Sequence, residues 1–231
     1  MGSSYFYLEF LLVWLHLLKS SGYRNPAIFA LEYSLVPDAC YPTQLQQTII
    51  GYKYALTKAP SPSRVCIGGD SAGGTLILSL LLHIARQSAC PMPGMAVLIS
   101  PWTTLASPQD QNTPSDYLNT ESLHLYARQY AGSKIALDDP LVSPGNCKET
   151  EWWRRASPER GFVFMYGGEE IFAPEIRDLV ELLRKAHVKV ASREEEGGIH
   201  AWPVAALFLS GTAKERQKGL NDIVSHIRKL L

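Results

Sequence analysis

The 231 residues, 46% of them hydrophobic, suffice for one α/β domain with a substantial core and exclude a disordered chain. Lysine and arginine balance aspartate and glutamate, so the formal net charge is zero and no global field draws in nucleic acid or an anionic membrane. Basic residues come mostly as pairs on predicted helices, as in Trp152-Trp153-Arg154-Arg155, and not as a patch interleaved with aromatics.

The apolar run Phe10 to Leu18 follows Glu9, is interrupted by His16 and ends at Lys19. It lacks the basic leader and cleavage site of a signal peptide and is too short to span a bilayer. It predicts an amphipathic or buried helix over Tyr5 to Lys19, in a chain expected to be soluble and cytoplasmic with no membrane span. Apolar stretches then alternate between strand-like and helix-like character, the pattern of βα units on a mostly parallel sheet. The predicted elements are a strand Ala27–Tyr33, a helix Thr43–Leu56, a strand Arg64–Gly68, a helix from Ala72 to about Arg86 and a strand Met95–Ser100. From Pro101 to Pro158 the rhythm breaks, with one helical piece near Glu121 to Tyr130. A long irregular excursion inside a compact domain is usually functional, often a cap or lid. A strand Gly161–Tyr166, a helix Pro174–Ala186, a strand Val188–Ser192 and a last helix from about Lys214 to Leu231 complete a single domain.

The four cysteines, Cys40, Cys66, Cys90 and Cys147, form no C-x-x-C pair, and no His or Cys lies at metal-ligand spacing. Cys66, in an apolar run, is expected to be a buried core thiol, and a reducing compartment fits best. No Walker lysine and no G-x-G-x-x-G opens a βαβ unit, so no cofactor and no metal are expected.

Chemistry concentrates at Gly69-Asp70-Ser71-Ala72-Gly73, a G-x-S-x-G between a predicted strand and a predicted helix. A strand turning sharply into a helix strains the serine backbone and leaves its hydroxyl exposed at the carboxyl edge of the sheet. The helix N-terminus adds positive potential where negative charge would develop. The alternative is a glycine-rich βα turn without chemistry. A serine nucleophile needs a base, and the base an orienting carboxylate, in the chain order Ser, acid, His. Of six histidines, His200 alone lies in a loop after the last strand, Gly197-Gly198-Ile199-His200-Ala201-Trp202-Pro203; His16, His83, His124, His187 and His226 sit in helices or at their ends. Gly167-Gly168-Glu169-Glu170-Ile171-Phe172 offers two carboxylates after a strand; Glu170 is favoured, with Glu169 as a solvated loop charge.

Several of these segments, in order, resemble the hormone-sensitive-lipase-like branch of the α/β-hydrolases, a family of esterases and arylacetamide deacetylases. They are Gly69-Asp70-Ser71-Ala72-Gly73-Gly74, Tyr33-Ser34-Leu35-Val36-Pro37 with Tyr41-Pro42, Ser100-Pro101-Trp102, Asp139-Pro140-Leu141-Val142-Ser143-Pro144 and His200-Ala201-Trp202-Pro203. The resemblance implies an α/β-hydrolase fold, here of about five strands, N-terminally shortened, with a cap over about 101–158. It also places the family's carboxylate on Glu170. The family's H-G-G-G segment, which supplies oxyanion-hole N–H groups, has no counterpart: no His-Gly-Gly occurs in this sequence. The Ala72 N–H is then the carried-over donor, with Gly2 as an expected helper. The strand that carries H-G-G-G normally lies between those matched by Ala27–Tyr33 and Arg64–Gly68. Without it the sheet must close the gap, borrow a strand or leave an edge, and an open edge would favour a homodimer.

The expected function is hydrolysis of small uncharged carboxylic esters through an acyl-enzyme, with Ser71, Glu170 and His200 as the triad. Asp70, Trp102 and Trp202 are candidates for the substrate pocket. Trp102, Trp152 and Trp153 would cover it or serve equally as core. The competing reading is a non-catalytic binding or scaffold protein that keeps the triad but lacks an oxyanion hole.

Overall fold

In the computed structural model, residues 4–87 and 90–228 are described. In chain order the elements are α1 (Ser4–Ser20), α2 (Thr43–Lys58), β1 (Cys66–Asp70), α3 (Ala72–Gln87), β2 (Met95–Ile99), α4 (Thr120–Ala131), α5 (Thr150–Ala156), β3 (Phe162–Gly167), α6 (Ala173–Lys185), β4 (Val190–Glu195), α7 (Trp202–Leu209), α8 (Ala213–Arg216) and α9 (Lys218–Arg228). The fold is α/β. The residues group into two compact units, Tyr33–Ala201 and a helical unit built from the two ends of the chain.

The larger unit holds a four-stranded parallel sheet in the order β1-β2-β3-β4. The registers Gly69↔Leu98, Leu98↔Phe164 and Phe164↔Ser192 run straight across it. The two central strands, MAVLI and FVFMYG, are buried at every position. Strands covered on both faces must be apolar throughout, which is why these runs show no alternation. Between strands the chain returns through helices, as parallel pairing requires. In α6, Ile176, Leu179, Val180 and Leu183 are buried on one stripe while Asp178 and Glu181 lie outside the core. The core is continuous through α3, the central strands, α5 and α6, with Leu78, Leu81, Leu98, Phe164, Trp153 and Ile176 fully enclosed.

In the terminal unit, Phe6 of α1 stacks on Phe208 of α7 at 5.2 Å, and Phe10, Leu207, Leu220, Ile223 and Val224 are buried. Among the described residues no helix is long and apolar enough to cross a membrane.

Four sequence expectations are corrected. The sheet has four strands among the described residues, not about five, because Ala27–Tyr33 does not join it and Ala27 to Ala30 are exposed. A β-branched, aromatic run becomes a strand only when an adjacent strand takes up its N–H and C=O groups. Cys66 is exposed, not a core thiol. It lies on an edge strand whose accessibility alternates, with Val65 and Ile67 inward and Cys66 and Gly68 outward. The irregular excursion contains a second helix, α5, too short to show periodicity in the sequence. The predicted final helix divides at Gln217 into α8 and α9, and the expected end at Leu231 lies outside the described residues.

Candidate active site

All the singled-out polar groups of the larger unit emerge where the parallel strands end. Ser71 follows β1 directly and has φ +51°. Its N–H donates to Ile99 C=O of the neighbouring strand at 3.0 Å, and its own C=O accepts from Trp102 N–H at 3.0 Å. A left-handed residue without glycine's freedom is strained by about 1–3 kcal/mol and is held there only by such surrounding bonds. The turn is steric as well. A Cβ on Gly69 would fall 2.4 Å from the Gly73 carbonyl carbon, and one on Gly74 would fall 2.6 Å from Pro101 Cβ. Gly73, by contrast, faces open space. The close-packed glycines are therefore the first of the G-x-S-x-G and the one just beyond it. Ala72 opens α3, so its N–H is among the first-turn donors that lack an intrahelical acceptor.

Glu170 lies three residues beyond β3 and is 2% exposed. Its Oε2 accepts from the Ser100 hydroxyl at 2.6 Å and from Gly167 N–H at 3.0 Å. His200, also buried, stands on the loop after β4 with Nδ1 3.9 Å from Glu170 Oε2. That separation is longer than a hydrogen bond, and unliganded acid–base pairs are often loose in this way. Glu170 Oε1 and His200 Nδ1 are both buried without a hydrogen-bond partner among the described residues. An Nδ1–H of His200 drawn in by about 1 Å would give that nitrogen a partner in Oε2, the nearer carboxylate oxygen. Glu169 points elsewhere: its carboxylate accepts from the exposed Ser115 hydroxyl.

Aromatic rings fix the imidazole. Phe172 meets it edge-on at 5.1 Å, Tyr117 at 5.8 Å, and Trp102 stacks flat on Phe172 at 5.6 Å. Trp102 is buried behind Phe172. Trp152 and Trp153 belong to the core: their indole N–H groups donate to Leu82 C=O and Cys147 C=O, each at 2.9 Å. Asp70 ends β1, and its charge helps hold the Tyr33 phenol up at about 12, with burial the larger cause. The Tyr117 ring is largely exposed, but partial desolvation of its hydroxyl, followed by the carboxylates Asp116, Asp70 and Glu170, pushes the phenol up to about 12. Both phenols therefore remain neutral donors throughout the physiological range. Trp202 is buried in the terminal unit, and Gly2 lies outside the described residues.

Three residues here carry no role in the sequence reading. Ser100 bridges Glu170 and the backbone of the His200 loop, accepting from Ala201 N–H at 2.9 Å. Its signal was positional, a serine ending the strand beside the nucleophile. Asp116 and Tyr117 lie in the aperiodic stretch, where nothing local flags them.

Comparison with known proteins decides the family. Residues 19–204 match the family model described as the alpha/beta hydrolase fold. The chain belongs to the α/β-hydrolases, in their hormone-sensitive-lipase-like branch. Within that family it is 30% identical over 193 residues to an acetyl-hydrolase of Streptomyces hygroscopicus, covering 81% of this chain and 61% of that protein. It is 26% identical over 156 residues to steryl acetyl hydrolase 1 of Saccharomyces cerevisiae, covering 63% of this chain and 37% of that one. The chain thus spans less than two thirds of the length of these relatives. A crystal structure of an esterase from the bacterial hormone-sensitive lipase family superposes with a TM-score of 0.81 at 25% identity, covering 100% of this chain and 72% of that one. Carboxyl esterase 2 of Tuber melanosporum, 23% identical and with a TM-score of 0.82, covers 100% of this chain and 74% of that one and shares the α/β-hydrolase fold.

Proposed function

We propose that this chain is a serine hydrolase of small, uncharged carboxylic esters, with acetyl esters the first candidates. The observation that carries the proposal is the placement of a strained serine, a buried carboxylate and a buried histidine at the carboxyl edge of one parallel sheet, the last two 3.9 Å apart. The printed names of the related acetyl-hydrolases support the choice of acyl group.

In this mechanism His200 takes the Ser71 proton as Oγ attacks the ester carbonyl, and Glu170 stabilises the imidazolium through Nδ1–H. The carbonyl oxygen becomes an oxyanion, and the Ala72 N–H at the head of α3 donates to it. Collapse expels the alcohol, protonated by His200. Water, deprotonated by the same base, then releases the acid and restores Ser71. Asp70 and Trp102 are assigned to the surroundings of the bound ester.

The test is covalent labelling with a fluorophosphonate, followed by turnover of p-nitrophenyl acetate. Labelling that disappears in Ser71→Ala, accompanied by hydrolysis, supports the assignment. A folded chain that resists the probe and turns over no ester sinks it. A folded chain that takes the probe or is stabilised by esters yet shows negligible turnover would favour a binding protein.

A further inference from the structure

The segment after β2 carries a short stretch bound to both loops that hold the acid and the base. Asp116 is only 9% exposed, yet among the described residues its carboxylate makes no ion pair. Oδ1 accepts from His200 N–H at 3.2 Å, and Oδ2 accepts from Ile171 N–H at 3.0 Å. One carboxylate therefore ties the residue after Glu170 to His200 itself. The neighbouring Tyr117 hydroxyl donates to His200 C=O at 3.3 Å, so this dipeptide grips both backbone groups of the histidine. Thr113 anchors the grip from behind: its hydroxyl accepts from Asp116 N–H at 3.1 Å and donates to Glu169 C=O at 2.9 Å.

Ordinary loop packing does not place a buried carboxylate on two backbone N–H groups of separate loops. An ionised carboxylate accepting backbone N–H bonds makes strong, directional contacts, and their common atom group fixes the distance between the loops. The imidazole hangs from one of those loops and Glu170 from the other. A change of about 1 Å between reacting groups is worth roughly a hundredfold in rate.

We propose that Asp116, assisted by Tyr117, is a positioning residue that sets the distance between Glu170 and His200 by clamping their two loops together. This rests on the assignment of Glu170 and His200 as acid and base.

The experiment compares the full chain with Asp116→Asn and Tyr117→Phe. Asparagine keeps the size but offers one acceptor oxygen where the carboxylate serves three N–H donors, Tyr117 and His200 on Oδ1 and Ile171 on Oδ2, and its own NH₂ faces the donors of one side. With p-nitrophenyl acetate as the probe, Asp116→Asn should lower kcat by roughly ten- to hundredfold while KM changes less than about threefold. Tyr117→Phe, at an exposed side chain that does not endanger folding, should lower kcat by roughly two- to tenfold. In both, the ring nitrogen signals of His200 should move in NMR spectra of the folded protein, which a merely stabilising residue would leave in place. Wild-type kcat in folded Asp116→Asn, or unmoved His200 ring signals, overturns the proposal. Should that variant not fold, Tyr117→Phe decides by the same two readouts. If the unsubstituted chain neither cleaves the ester nor takes a fluorophosphonate, the hydrolase assignment fails separately, and the His200 signals alone decide whether the clamp sets the histidine.

Discussion

Ser100 donates its hydroxyl to Glu170 across 2.6 Å, and the same oxygen accepts the Ala201 N–H at 2.9 Å. A single hydroxyl at the end of β2 thus joins the carboxylate to the chain next to His200. Ser100 and Ala201 both have left-handed backbone, φ +43° and +52°, so this bond connects two strained residues. Removing it frees two buried groups at once. Ser100→Ala is expected to destabilise the fold by about 1–3 kcal/mol, because Ala201 N–H is left unpaired and Glu170 loses its hydroxyl donor. Urea unfolding measures the loss, and ester turnover should fall with it.

The backbone at Ser71 makes an opposite prediction. Glycine adopts φ +51° without the Cβ penalty, so Ser71→Gly should stabilise the protein by about 1 kcal/mol while abolishing fluorophosphonate labelling. Stability and reactivity moving in opposite directions would identify a residue whose conformation serves chemistry rather than folding. Chemical denaturation of the two proteins side by side provides the comparison.

The glycines of the turn separate by position. Gly74→Ala drives a methyl against Pro101 and should cost about 1–3 kcal/mol through overpacking. Gly73→Ala meets open space and gains helix propensity, so it should be neutral or stabilising by up to about 1 kcal/mol. Thermal unfolding of the pair distinguishes them directly.

Acid sensitivity should come in part from His83 on α3. Burial lowers its pKa, followed by repulsion from Lys53 and Arg86. The folded state therefore prefers the neutral ring more than the unfolded state does. Stability from this group is present above the unfolded value near 6.5, and it is lost as pH falls through that value toward the lower folded one. In His83→Gln the drop in Tm between pH 7 and 5 should be smaller than in the unsubstituted chain.

Much of this was visible before any coordinates. The strand–turn–helix around Ser71 was legible because Gly69 and the apolar helix after it announce the geometry. His200 stood out because it alone lies in a loop after the last strand, the other histidines sitting in helices or at their ends. Of the two adjacent glutamates, Glu170 lies 3.9 Å from His200 while Glu169 turns to Ser115. What stayed hidden depends on partners distant in sequence. Ala27–Tyr33 has a strand's composition but stays outside the sheet, and Cys66 has a core's surroundings in sequence but an edge position in space. Asp116 lies 84 residues from the His200 N–H it holds, and no local pattern encodes such a bond.

The sheet order β1-β2-β3-β4 has a consequence for how the protein is made. Each new strand adds beside the one before it, so an elongating chain can extend one growing edge without reopening any earlier pair. Ser71 follows the first strand of that order and His200 the last, so the proposed nucleophile and base can meet only once β4 has been made.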